Sequence, residues 1–490
     1  VEPVSFMVDT ADGQRLTLRG GYFPIKYDPA ANARTESHAD AEDAKRQMQG
    51  AYTSATTRRG FTKSRVNEVK GRPLMYSLSA VYSGVQDVIH DLAWHEWLID
   101  TNKLLRSDKV DSAMRQHYGP EVVRQIKDWV KDNAAGDRPV QAGIDEALSR
   151  VRRGVSMAGL GFNVMSAAMQ PLGITQSIVR IGTPWVARGV AQYVANPFAA
   201  ARQVNEASAF MAGRSRTRFR ELNELRNQVE GESGAMQWMN RNAFWLMTRC
   251  QQAVDVPTWL GAHEKAIAEG ADEERAVALA DQAVIDAQGS GQVKDQAGIE
   301  KGGPAQKLFT VFYSFMNTAL NLGVSQGMTA DTPAKRGKLA VDALLLYTVP
   351  VVLGAALKAA IIPGDSGDWD DPEEIAKKLA AAQLDYLMGL FALVRETAEA
   401  VKTVAGLGDK PRDYSGPAGL RVIPDLGAFA KQAAQGEFDD AFRKAAVNLT
   451  GDLLGLPAAQ ANRTITGAKA LADNETSNPA ALVFGFQKER

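Results

Sequence analysis

The sequence predicts an all-α protein, an extended multi-helix bundle with one short N-terminal β-hairpin, and three observations carry that expectation. From Leu74 onward apolar residues return at three- and four-residue steps, the spacing of one helix face. Strands alternating with helices are absent, which argues against α/β folds. The period-two pattern of Val4-Ser5-Phe6-Met7-Val8 and Arg15-Leu16-Thr17-Leu18-Arg19, turned at Asp12-Gly13, gives the one good hairpin.

Taken in order, the hairpin is followed by an aromatic, Gly/Pro-punctuated loop, Gly20-Gly21-Tyr22-Phe23-Pro24 to Asp28-Pro29. Residues 30–65 are polar and weakly patterned and read as a mobile arm, so that residues 1–73 form an N-terminal hairpin and arm. Leu78, Val81, Val85, Val88, Ile89, Leu92, Trp97 and Leu98 then predict a helix of about 30 residues. A second helix is predicted over 120–133, with Pro120 in its first turn and Val122, Val123, Ile126, Trp129 and Val130 on one face. Residues 141–198 are apolar and rich in Gly and Ala, broken by Pro171, Pro184 and Pro197 into pieces of a buried helical core. Further helices are expected over 236–268, 270–287, 307–328, 343–362, 375–405 and 426–473. These fall into a central helical domain, 74–330, and a C-terminal helical region, 331–490.

Composition bounds the function. The 490 residues are 45% hydrophobic and 23% charged with a mean hydropathy of −0.23, which fits packed globular units and neither a disordered chain nor a multi-span membrane protein. The net charge of −1 supplies no global field toward DNA or anionic lipid, so any such contact must be local. A single cysteine, Cys250, leaves no internal disulfide and fits assembly in a reducing cytoplasm. A start at Val1 with no secretory signal is expected of a processed product or a piece of a longer polypeptide.

Signatures of known chemistry are mostly missing. There is no G-x-S-x-G, no G-x-x-x-x-G-K-[ST] and no H-E-x-x-H. Gly289-Ser290-Gly291 follows a helix rather than a strand and reads as a C-cap and turn, not a phosphate loop. Asp87, Asp91 and His95 share one helix face at i, i+4 and i+8, but nothing supplies a fourth ligand; a solvated stripe is the better reading, and no metal, cofactor or catalytic residue is assigned. Arg214, Arg216, Arg218 and Arg220 alternate along the chain and could contact phosphates, although Glu221 and Glu224 stand ready to neutralise them and favour an ion-paired surface.

The strongest local signal is 343–362. It reaches the roughly 20 apolar residues a membrane span needs, with one interior charge, Lys358, near an end where it can snorkel. Leu344, Leu345, Leu346, Val349, Val351, Val352 and Leu353 are its candidate membrane contacts; the competing reading is a core helix of a large bundle.

Six stretches stand out together: Leu18-Arg19-Gly20-Gly21-Tyr22-Phe23-Pro24 to Pro29, Val88-Ile89-His90-Asp91-Leu92-Ala93, Gly161-Phe162-Asn163-Val164 with Gln170-Pro171-Leu172-Gly173, Val256-Pro257-Thr258-Trp259-Leu260-Gly261-Ala262, Ala280-Asp281-Gln282-Ala283-Val284 to Gly291, and Phe309-Thr310-Val311-Phe312-Tyr313-Ser314-Phe315. In this order they resemble the C-terminal region of the large polyvalent proteins of tailed phages and prophages. The resemblance implies a structural protein held inside the virion, near the portal or tail axis, and ejected with the genome to help build a conduit across the host envelope. Its implied partners are other virion proteins (portal, tail or fellow ejection proteins), the envelope membrane, packaged DNA and further copies of itself as a homo-oligomer. Two alternatives stand beside it: a non-catalytic remnant of an antirestriction or peptidoglycan-degrading polyvalent enzyme, and a head-internal scaffold that never meets a membrane.

Overall fold

A computed structural model describes residues 4–9, 15–20, 78–135, 144–217, most of 238–301, 310, 313–362, 372–389 and 439–486, with a few isolated positions between 426 and 433. The described chain is mostly helical. Two compact units divide it, Val1–Glu146 and Ala147–Arg490.

In the first unit the backbones of β1 (Val4–Asp9) and β2 (Arg15–Gly20) pair antiparallel, with Phe6 opposite Leu18. Among the described residues three helices follow: α1 (Leu78–Arg106), α2 (Asp108–Tyr118) and α3 (Pro120–Ala135). The sequence reading missed α2. Its boundaries are carried by one extended residue, Ser107, and by Gly119, whose φ of +86° ends the helix in a conformation that favours glycine. Leu98, Leu105, Val130 and Ala134 form the core of this unit, with Trp94, Met114, Ile126 and Trp129 packed against it. Asp111 accepts from Arg115 at 2.5 Å and from Lys127 at 2.7 Å. Those hydrogen bonds, Arg115 first, hold its carboxyl at about 2.

The second unit runs through α4 (Ile144–Leu160), α5 (Val164–Met169), a 3₁₀ turn at Gln170–Gly173, α6 (Ile174–Ile181), α7 (Thr183–Ala195), α8 (Pro197–Ala207) and α9 (Ala209–Thr217). The prolines do more than break this stretch. Pro184 and Pro197 occupy first turns, where a missing N–H costs nothing, and Asn196 caps α8 by accepting from Ala199 N.

The hub is α10 (Trp245–Ala268) with α11 (Glu273–Gln288), and every residue from Val254 to Ala262 is buried. Trp259, 2% exposed, packs with Ile181, Val186, Val204, Met211 and Val284. Close approach of α7 to α10 depends on two glycines. A Cβ on Gly189 would lie 2.0 Å from Pro257 O, and one on Gly261 would lie 2.3 Å from Trp185 O.

Next come α12 (Tyr313–Met328), α13 (Pro333–Ala343), a π-helical turn at Leu344–Thr348, α14 (Val349–Ile361) and α15 (Pro372–Gly389). The last described helices are α16 (Asp440–Leu454), α17 (Ala458–Ala472) and α18 (Ala481–Phe484). Gly455, at φ +68°, ends α16 where the sequence marks a gap.

The two compact units meet between Glu146 and Ala147. Leu346 packs with Val179 and Leu322, which ties the C-terminal helices into the same core as the central ones. The expected arm at 30–65 lies outside the described residues.

Candidate functional site

Two arrangements in the second unit stand out: a buried polar chain at the hub, and an apolar helix that the fold leaves largely uncovered.

The polar chain begins with Arg214, which α9 directs inward and which is 4% exposed. Its Nε donates to Asp255 Oδ2 at 3.1 Å, and its Nη1 donates to Gly289 O at 2.6 Å, capping the C-terminal carbonyl end of α11. Asp255 Oδ1 also accepts from Gln251 Nε2 at 2.7 Å. Gln251 Nε2 donates to Gln288 Oε1 as well, and Gln288 Nε2 donates to Gly173 O and to Ser177 Oγ at 2.7 and 3.0 Å. The chain ends at the Ser177–Thr258 hydroxyl pair, 2.6 Å apart. Alongside it, Asp281 Oδ1 accepts from Ser208 Oγ and Trp259 Nε1. Four segments that share no local sequence are thereby tied to one another.

This chain fixes the place of Arg214, the one residue of the arginine comb whose side chain is described. Arg214 is neutralised by Asp255 inside the core, so it presents nothing to a phosphate and is no part of a solvated surface. The side chain of Arg216 lies outside the described residues, as do Arg218 and Arg220 altogether. The structure also shows where some of the quoted stretches meet: Gly173, Thr258, Trp259, Asp281, Gln288 and Gly289 all belong to them and all take part in the two clusters. Gly289 itself, at φ +71°, is the C-cap of α11.

On α1, positions 87, 91 and 95 share a face as expected, but the side chains of Asp87 and Asp91 lie outside the described ones. Among the described residues no group of three or more His, Cys, Asp or Glu side chains could hold a metal ion.

The apolar arrangement is the continuous helix Pro333–Ile361, 29 residues and long and apolar enough to cross a membrane, with 11% of its most apolar stretch buried. Thr332 caps it by accepting from Lys335 N. Its middle is the π-helical turn, and the cause is local. Pro350 has no N–H to offer the preceding turn, so carbonyls there need other donors. Tyr386 Oη and Gln383 Nε2 of α15 donate to Leu346 O at 3.1 Å and Tyr347 O at 2.9 Å. Burial, and secondarily the neighbouring Tyr347, push the Tyr386 hydroxyl up to about 12. On the other side Tyr347 Oη donates to Ala319 O and fills the space where Gly323 lacks a side chain.

The helix touches the rest of its unit along one narrow line. Asp342, Leu346, Pro350 and Gly354, four residues apart, are its buried positions. The seven candidate contacts therefore divide. Leu346 is fully buried; Leu345, Val349 and Val351 are half-buried; Leu344, Val352 and Leu353 are 56%, 40% and 46% exposed. A line buried at every fourth residue on one side and a broad apolar face open on the other is the geometry of a helix docked by its edge.

A third feature, an open cleft of about 190 Å³, is lined chiefly by Leu160, Phe162, Trp238, Trp245 and Leu246. Phe162, at φ +53°, stacks its ring on Trp238 at 6.1 Å. It carries no titratable side chain.

The chain matches no protein-family model, no curated protein and no solved structure.

Proposed function

We propose that this protein is a structural internal component of a tailed-phage virion, carried in the head and released with the genome, whose Pro333–Ile361 helix meets the host envelope and helps form the DNA-delivery conduit. The single observation that carries the membrane part is the uncovered apolar face of that helix. A core helix of a soluble bundle hides its apolar side chains; here Leu344, Val352 and Leu353 stand open beside a single buried line. The basic residues Lys335, Arg336 and Lys338 at one end and Lys358 near the other suit the two headgroup regions of a bilayer. The virion context rests on the resemblance in the quoted stretches, and its partners would be portal, tail or fellow ejection proteins, packaged DNA and other copies of this chain.

The test uses a charge where the folded protein tolerates one. Leu353→Lys lies on the open face, so the soluble fold should survive, while insertion at the bilayer centre should cost about 2.5–3.5 kcal/mol. Wild-type protein is expected to float with vesicles after mild unfolding and L353K to stay with the soluble fraction. In the phage, particles carrying L353K should assemble normally and eject DNA poorly. If wild-type protein never floats, or if L353K floats and infects like wild type, the helix has no membrane role.

The head-internal scaffold is the second reading, and the buried line favours it: Leu346 is fully packed against Val179 and Leu322, as a resident core residue would be. Flotation separates the two. Zymography on peptidoglycan and nuclease assays test the remaining alternative, a fragment of a polyvalent enzyme.

A further inference from the structure

We propose that the aromatic cleft between the end of α4 and the start of α10 binds a nucleotide, free or within a single strand, stacking its base on Trp245 and Trp238 and setting its phosphate against Arg249. The inference stands on this cleft and its arginines alone. It uses neither the virion reading nor the apolar helix.

The walls fix the size and kind of ligand. At about 190 Å³ the cleft is smaller than the roughly 300–1,000 Å³ of a drug-sized site, so it admits one ring system at a time. Trp238 and Trp245 are 63% and 57% exposed, although burying an indole is among the larger gains open to a fold. Phe162 completes the aromatic wall at a conformational cost. Its φ of +53° is one that a bulky side chain rarely takes, and its N–H is held there by donating to Ala243 O at 2.7 Å. Strain of this sort persists where the surrounding structure imposes it, and it clusters at ligand sites.

The charges narrow the ligand further. No carboxylate lines the cleft. Arg249 lies over Trp245, with its guanidinium carbon 5.8 Å from the ring centre, and donates to the neutral Gln252 side chain. One contact removed from the cleft, the half-buried Arg463 donates to Oδ1 of the lining residue Asn163 at 2.5 Å. Among the described residues neither arginine has a carboxylate partner. A guanidinium drawn out of water against a neutral amide keeps an uncompensated charge, and burial accordingly lowers the Arg463 pKa. Stacking faces and positive potential thus occur together. A neutral hydrophobe leaves the arginines unused, and an inorganic anion has no face to stack. A base joined to a phosphate meets both demands, since indoles stack on any base and a guanidinium takes phosphate oxygens. Asn242, whose Nδ2 donates to Trp238 O at 2.7 Å, leaves its Oδ1 to accept from the exocyclic amino group of a base.

Fluorescence anisotropy with a labelled oligodeoxyadenylate of about 12 nucleotides, and equilibrium dialysis with AMP, test the cleft in the full chain. Wild type should bind the strand at micromolar concentration, and a duplex of the same length at least about tenfold more weakly, because its bases are hidden in the stack. Trp245→Ala should weaken binding by about 10- to 100-fold at an unchanged thermal midpoint, since Trp245 is exposed. Trp238→Ala provides a second loss of stacking. Arg249→Gln should weaken strand binding by about fivefold and flatten its dependence on salt by about one phosphate contact, a slope change near 0.7. AMP bound with the same sensitivity to W245A would make the free nucleotide a ligand; the strand bound alone, with that sensitivity, would make the site one for single strands. The proposal is overturned if wild type binds neither millimolar AMP nor tens of micromolar strand. It is equally overturned if W245A and W238A bind as wild type does, or if the duplex binds as tightly as the strand.

Discussion

The helices α10 and α13–α14 carry the same short phrase, Pro257-Thr258-Trp259-Leu260-Gly261 in one and Pro350-Val351-Val352-Leu353-Gly354 in the other. Their fates differ. Around Pro257 every side chain is enclosed, and the glycine lies against the backbone of α7. Around Pro350 only the proline and the glycine are buried, and the two residues between Val351 and Gly354 face outward. The second segment is the more uniformly apolar of the two, yet it is the less buried. Hydrophobicity sets the gain available from burial; whether a helix is enclosed depends on how many neighbours can reach it. Helix α10 is surrounded by α6, α7, α8 and α11. The α13–α14 helix is reached by α6 and α12 along one edge and by α15 along α14 and the π turn.

The polar groups differ in the same way. Near Pro257 they form an internal chain of hydrogen bonds; near Pro350 two donors from α15 repair the carbonyls that the proline disturbs. The largest expected effect follows from the first. Asp255→Ala leaves the Arg214 guanidinium buried without its partner and should cost about 3–5 kcal/mol, read as a fall in the denaturation midpoint. If it cost less than about 1 kcal/mol, water must reach Arg214 and the hub is looser than its geometry implies.

The two glycines sharpen the contrast. Gly261→Ala forces a methyl to within 2.3 Å of Trp185 O and should destabilise by about 1–3 kcal/mol. Gly354→Ala meets only the side-chain ends of Leu172 and Met169, at 3.5 and 3.7 Å, and should be neutral or stabilising by up to about 1 kcal/mol from helix propensity. Equal losses at the two sites in thermal melts would erase the distinction drawn here.

Tyr386→Phe, which leaves Leu346 O without that donor, should cost about 1 kcal/mol. The hydroxyl also gives the α14–α15 contact a pH signature. Its proton is held more tightly in the folded protein, up to about 12 against an ordinary value of 10, so the stabilisation is complete below pH 10 and is lost as pH rises from 10 toward 12. Y386F should lack that part of the alkaline loss. The smallest effect lies in the first unit, at the opposite end of the scale. With Asp111 held at about 2 by Arg115 and Lys127, the ion network is intact above pH 4 and should loosen as pH falls from 4 toward 2, a change that Asp111→Asn removes.

Much of this was legible before any coordinates. Apolar spacing marks α1, α3, α10 and α12, because burying one face of a helix imposes a three- and four-residue period whatever the partner is. Pro184, Pro197 and Pro333 begin helices, and Gly289 and Gly455 end them, because proline lacks an N–H and glycine alone takes positive φ freely. The apolar run at 343–362 identifies itself by composition. Helix α2 escaped because it has no fully buried residue and turns only a short, half-buried face with Val110 and Met114 to the core, too few apolar residues to set a period by themselves.

What only the tertiary structure decided concerns long-range neighbours. Arg214 reads as one tooth of an exposed basic comb, since sequence reveals charge but not the carboxylate 41 residues away that neutralises it. Leu346 and Leu353 are the same residue type in one run, and one is sealed while the other is open. A side chain's chemistry is fixed by its own codon, but its burial is a property of the surfaces that arrive from elsewhere in the chain.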